Sequence, residues 1–187
     1  INCPLQFYFT AIEGLAEEEE VKETVESDIF GTIYHEVMQN LYDRYKNETV
    51  LPDTLNAMIK NETMLTHLLE SAFATHYFKQ KDKKRKLTGQ HHLIAEVLRE
   101  LIKQTLRVDR KITPFVYLDS EHRFNAPYRV NRQLSVNAKG SIDRIDQTRE
   151  HTRIIDYKSG IGELKFSSME QLFDGSKERR PYQILQV

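Results

Sequence analysis

Partway along this chain the apolar residues change their spacing from the interval of a helix to the alternation of a strand. That change restricts the possible folds more than any other feature. Up to about residue 110 the apolar side chains recur three and four apart, the spacing of a buried helix face. Ile33, Val37 and Leu41 mark a helix over 28–46, widened by Tyr34, Met38, Tyr42 and Tyr45, with Asp28 placed to cap its start. Pro52 and Asp53 open a second helical stretch running to about Phe78, through Met64, Leu68, Leu69 and Phe73. A third is predicted over Gln90–Arg110, where Ile94, Val97, Leu98, Leu101, Ile102 and Leu106 form one stripe. From Pro114 the period is two. Strands are predicted over 114–124, 128–134, 135–145 and 152–157, the last two joined by a polar turn near 147–150. Residues 164–187 return to helix or loop, with Gly175 as a break. Helices, then a β meander, then helix predict an α+β fold. Its small mixed or antiparallel central sheet would be flanked by helices. The helical part covers about 1–112, and the sheet with a C-terminal helix about 113–187.

A chain of 187 residues can bury one good core, so a single domain over 1–187 is the expectation. The chain starts at Ile1 and stops at Val187 inside an apolar-periodic segment, which reads as a domain excised from a longer protein. The formal net charge is −1, so no overall basic field argues for a polyanionic partner, and any such contact must be local. One cysteine, Cys3, excludes an internal disulfide or a self-contained cysteine metal site. No apolar run approaches the roughly 18–20 residues needed to span a bilayer, and no signal peptide is visible. These features together predict an intracellular, cytoplasmic protein without membrane association.

Two late segments carry the chemistry, Gly140-Ser-Ile-Asp-Arg-Ile-Asp146 and Ile154-Ile-Asp-Tyr-Lys-Ser-Gly160. Residues two apart on a strand share a face, so Asp156 and Lys158 should project side by side. Hard divalent cations such as Mg²⁺ bind through one or two carboxylates and leave positions for water and phosphate. Asp143 and Asp156 are candidates for those carboxylates, and the carbonyl of Tyr157 for a further ligand. A neighbouring lysine, Lys158, can stabilise charge on a reacting phosphate. An Asp-x-Lys tripeptide alone is equally satisfied by a salt bridge on an exposed strand. Asp146 competes with Asp143. The two lie three apart and face opposite sides of a regular strand, and Asp146 adjoins the turn, where Asp serves turn chemistry. The expectation is Asp143 as ligand and Asp146 as structural. His35 sits at the edge of its helix's apolar stripe, as a satisfied core histidine also would. Glu121, in Ser120-Glu-His-Arg-Phe124, is an ordinary charge on a half-exposed strand unless a site surrounds it.

Read in order, Cys3-Pro-Leu-Gln-Phe-Tyr, Gly31-Thr-Ile-Tyr-His35, Glu121-His-Arg-Phe, Gly140-Ser-Ile-Asp143-Arg-Ile-Asp, Ile155-Asp-Tyr-Lys158-Ser-Gly160 and Gln186 resemble the PD-(D/E)XK nuclease superfamily, and within it the RecB-like exonuclease branch. The resemblance spans nearly the whole chain. It implies a restriction-endonuclease-like fold and a Mg²⁺- or Mn²⁺-dependent exonuclease acting on DNA phosphodiesters in repair or recombination, of bacterial type. It implies His35, Asp143 and Asp156 as metal ligands, Lys158 as the catalytic lysine, and Glu121 as a recurring acidic position. Gln186 would be the Gln of a Gln-x-x-x-Tyr motif, with Gln183 as its rival. Some members carry an iron–sulfur cluster on four cysteines. Cys3 stands at the first of those positions, and one cysteine cannot hold a cluster. Ile142 precedes Asp143 where the superfamily's name has proline.

DNA is thus the expected partner, together with helicase domains or subunits of a repair complex. The basic run Lys79–Lys86 reads either as a solubilising loop or as a phosphate-tracking one. Arg123, Arg129, Arg132, Arg144, Lys165, Arg179 and Arg180 are further candidates for phosphate contact. No ATP-binding loop is present in the chain. The alternative is a catalytically inactive module of the same fold that binds DNA ends or docks a partner.

Overall fold

The structure is a computed structural model, and it describes residues 5, 8–13, 27–79 and 86–158. Cys3, the acidic run 17–20, most of the basic run after Lys79, Lys165, Gly175, Arg179, Arg180, Gln183 and Gln186 lie outside the described residues. The chain divides into two units, residues 1–24 with 160–187, and residues 25–159. In the first, Tyr8–Ile12 form one π-helical turn, closed by the Tyr8 hydroxyl donating to Glu13 at 2.5 Å.

The second unit is α+β. Its helices are α1 (Ser27–Tyr42), α2 (Pro52–Lys60), α3 (Glu62–His76) and α4 (Gln90–Arg110). Its strands are β1 (Thr49–Val50), β2 (Phe115–Arg129), β3 (Ser135–Gln147) and β4 (Thr152–Ile155), in the order β1-β2-β3-β4 and antiparallel throughout. Ile33, Val37 and Leu41 of α1 are buried, as are Leu65, Leu69 and Phe73 of α3 and Leu98, Ile102 and Leu106 of α4. With Phe115 and Tyr117 of β2 they make one core between helices and sheet. The α4 stripe is narrower than its apolar residues suggest, since Val97 is 55% exposed.

Three expectations need correction. The single helix over 52–78 is two, because Asn61 leaves helical geometry and its side chain accepts the Met64 N–H at 3.0 Å. That bond satisfies an otherwise unpaired donor at the start of α3. The strands over 114–124 and 128–134 are one strand running through Pro127. Beyond Val116 the outer edge of β2 meets no other described strand, so a residue without an N–H is tolerated there. The reversal falls at 130–134, where Val130 N–H bonds the Leu134 carbonyl and the Asn131 side chain accepts from Gln133 and Leu134. Finally, β4 ends at Ile155, so Asp156 and Lys158 lie just past the strand.

Two irregularities matter for the site. Register slips between Tyr117 and Asp119, so Leu118 is an extra residue on β2. Further along, Glu121 has φ +48°, flanked by the pairs Ser120↔Arg144 and His122↔Ile142. Glu121 therefore faces Asp143 across the ladder.

Candidate metal centre

One helix and two strands converge on three side chains. His35 from α1, Glu121 from β2 and Asp143 from β3 offer ligand atoms that all lie within 4.8 Å of one another. His35 Nδ1 is 3.5 Å from Glu121 Oε1 and 3.7 Å from Asp143 Oδ1. The other ring nitrogen, Nε2, lies 3.1 Å from the Tyr157 carbonyl. A carbonyl only accepts, so Nε2 carries the hydrogen and Nδ1 presents its lone pair to the two carboxylates. An imidazole lone pair and two carboxylate oxygens facing one space call for a cation between them. This is the donor set a divalent metal takes, with the second imidazole nitrogen oriented by a backbone acceptor.

Tyr157 ties the centre together through its backbone. Its N–H donates to Asp143 Oδ2 at 2.5 Å while its carbonyl receives His35. A side-chain carboxylate thus takes the place of a ladder acceptor, which explains why β4 stops at Ile155. Burial holds the Asp143 carboxyl above the ordinary carboxylate range; the Tyr157 N–H and His35 oppose that, and the charges of Asp156 and Glu121 reinforce it.

The Tyr157 ring sits in a buried ionic layer. Arg144, 1% exposed, donates to both oxygens of Asp109 at 2.7 and 2.9 Å, to Asp146 at 2.9 Å and to the Tyr157 hydroxyl at 2.8 Å. Its guanidinium lies 4.5 Å from the Tyr42 ring centre. Asp146 is fully buried and also takes two bonds from Arg153, at 2.6 and 2.7 Å. Both its oxygens are occupied by guanidinium groups. Burial alone would lower the Arg144 pKa, but the bonds to Asp109 and neighbouring charges raise it above the ordinary value. Burial pushes the Tyr157 phenol up, against the pull of Arg144.

Asp156 and Lys158 do meet, with Nζ 2.9 Å from Oδ1 and 2.8 Å from Oδ2. Both are more than two-fifths exposed. The three-ligand group does not include Asp156, although its charge reaches Asp143. The Tyr157 carbonyl lies against His35 Nε2. Glu121, singled out in the sequence only by the resemblance, is one of the three members of the group. No sequence signal marks its positive φ, and only the pairing with β3 reveals it. His35, Glu121, Arg123, Glu36 and His76 line one open cleft, with the Glu36 carboxylate hydrogen-bonded to His76 Nε2.

A four-stranded antiparallel sheet packed on helices, with a helix histidine converging on carboxylates from its two inner strands, is a restriction-endonuclease-like α+β arrangement with a candidate metal site. The profile of the PD-(D/E)XK nuclease superfamily matches residues 1–180, and the chain belongs to that superfamily. No curated protein and no solved structure matches it. Among the described residues no helix is long and apolar enough to cross a membrane.

Proposed function

We propose that this chain is a Mg²⁺- or Mn²⁺-dependent deoxyribonuclease of the RecB-like, exonuclease type, working inside the cell in DNA repair or recombination beside helicase domains or subunits. We read residues 1–187 as one nuclease domain. The observation that carries the reading is the convergence of His35 Nδ1, Glu121 and Asp143 within 4.8 Å. These three would hold the ion, and Asp156, on the chain segment beside Asp143, would complete the carboxylate set. Two oxygens and one nitrogen suit Mn²⁺ at least as well as Mg²⁺. When bound, such an ion polarises a phosphodiester and lowers the pKa of water.

The chain's own residues supply the rest. The Tyr157 N–H aims the Asp143 carboxylate, and the Tyr157 carbonyl fixes the tautomer of His35. The carbonyl faces Nε2, on the side of the ring away from Nδ1, so to serve as a ligand itself it would give up its bond to His35. Lys158, held by Asp156 in the free protein, would turn to the phosphate and stabilise the negative charge that builds in the transition state. Gln186 is assigned to the same site on its motif alone.

Linear DNA incubated with Mn²⁺ or Mg²⁺ tests the reading. Cleavage that stops with chelator, and falls by about 10²–10³ in kcat in Lys158→Ala, is expected from loss of one charge-stabilising donor. Cleavage unchanged by Lys158→Ala would remove that residue from the mechanism. A second reading, an inactive module that binds DNA ends or docks a partner, draws on Asp156 being paired with Lys158 outside the ligand group. It predicts DNA binding without cleavage under every divalent ion.

A further inference from the structure

Beyond the metal centre, β2 and β3 continue together as a two-stranded arm, paired from His122↔Ile142 to Arg129↔Ser135. Every residue of the arm over 121–129 and 135–141 is exposed. Alternation along the paired strands sorts its side chains onto two faces. One face carries Phe124, Ala126 and Tyr128 opposite Gly140, Ala138 and Val136. The other carries Arg123, Asn125, Pro127 and Arg129 opposite Ser141, Lys139, Asn137 and Ser135.

The second face begins at the candidate metal centre. Glu121 and Asp143 are two residues from Arg123 and Ser141, the Ser141 hydroxyl donates to Glu121 at 3.4 Å, and Arg123 lines the cleft with His35. No Asp or Glu occurs between Glu121 and Asp143. Among the described residues Arg123, Lys139 and Arg129 form no ion pair; Arg129 donates only to the turn carbonyls of Asn131 and Arg132, at 3.1 and 3.3 Å. In a chain of net charge −1, this face is therefore a line of uncompensated cations. From Arg123 to Arg129 it extends roughly 20 Å at strand rise, and one end adjoins the ligand group.

We infer that the polar face of this arm is a track for one strand of DNA, whose phosphates lie on Arg123, Lys139 and Arg129 and whose path leads into the His35–Glu121–Asp143 centre. Its charge complements a phosphodiester backbone, and Asn125, Asn137 and Ser135 add donors for phosphate oxygens without reading bases. The three cations, two on β2 and one on β3, lie along a ribbon only two strands wide, which fits one nucleic-acid strand better than both backbones of a duplex. The inference rests on the nuclease reading for the identity of the polyanion.

The test is the salt dependence of binding to a single-stranded oligonucleotide, in Ca²⁺ or chelator so that nothing is cut. Each phosphate neutralised contributes about 0.7 to the slope of log affinity against log salt. The Arg123→Gln/Lys139→Gln/Arg129→Gln variant should lose about 2 from that slope. Because Arg129 also holds the turn, the Arg123→Gln/Lys139→Gln variant is measured too and should lose about 1.4. In cleavage, KM should rise more than kcat falls, with Mn²⁺ affinity unchanged. A wild-type protein that cleaves DNA while both variants keep its slope and KM overturns the track and leaves the nuclease reading standing. Wild-type binding with the expected slope changes, but without cleavage in any divalent ion, supports the track and overturns the hydrolytic reading. Slope changes seen on duplex and not on single strands overturn the single-strand path.

Discussion

Asp143 does two things with one carboxylate. Oδ2 accepts the Tyr157 N–H, and Oδ1 faces His35 Nδ1. Its raised pKa gives a signature in pH. Unfolded, it ionises in the ordinary carboxylate range; folded, burial makes it keep its proton to higher pH. The fold binds more protons across that interval, so the metal-free protein should lose stability as pH rises through it. A divalent ion competes for the same oxygens. Mn²⁺ affinity should fall as pH drops, starting at a higher pH than an ordinary carboxylate would give. Calorimetric titrations between about pH 4 and 8 check this, and Asp143→Asn should flatten the profile. A profile identical in wild type and Asp143→Asn would place the titrating group elsewhere.

At the scale of elements, the break at Asn61 and the layer around Arg144 decide how the pieces meet. Asn61→Ala removes the cap on α3 and should cost about 1 kcal/mol in denaturant unfolding. Removing Arg144 is more severe, because Asp109 and Asp146 would be left buried with a guanidinium missing. Arg144→Met should destabilise by about 3–5 kcal/mol, read as a shift of the urea midpoint. An equally stable variant would show that the layer is dispensable. Gly140 has a plain packing reason for its place in the motif. A Cβ there would stand 2.7 Å from the ring of Phe124, the residue it faces across the arm. The helices were legible in the sequence because their stripes are long, and Gln90–Arg110 was readable to the residue. The break at Asn61 was not, since the apolar pattern continues on both sides of it. The reach of β2 was hidden because Pro127 reads as a strand end wherever a neighbouring strand would demand its N–H. In the site, Asp143 could be singled out from its strand pattern, whereas His35 and Glu121 stood out only through the ordered resemblance to the superfamily. The place of Glu121 depends on its partner across the ladder and on a positive φ, and neither is written in the residues around it.

At the scale of the whole molecule, a net charge of −1 conceals a strong local division. Carboxylates gather at His35, and the arm that leads away from it carries Arg and Lys but no Asp or Glu. Superfamily membership and this division both support the proposed act, hydrolysis of a phosphodiester at a metal that His35, Glu121 and Asp143 would hold. The most direct test measures Mn²⁺-dependent cleavage of linear DNA by the wild type and by Asp143→Asn, with Mn²⁺ binding followed on both. The account predicts that the wild type binds the ion and cuts, and that Asp143→Asn stays folded but weakens ion binding and slows cleavage by at least about a hundredfold. Cleavage at the wild-type rate by folded Asp143→Asn, with undiminished Mn²⁺ binding, would contradict it.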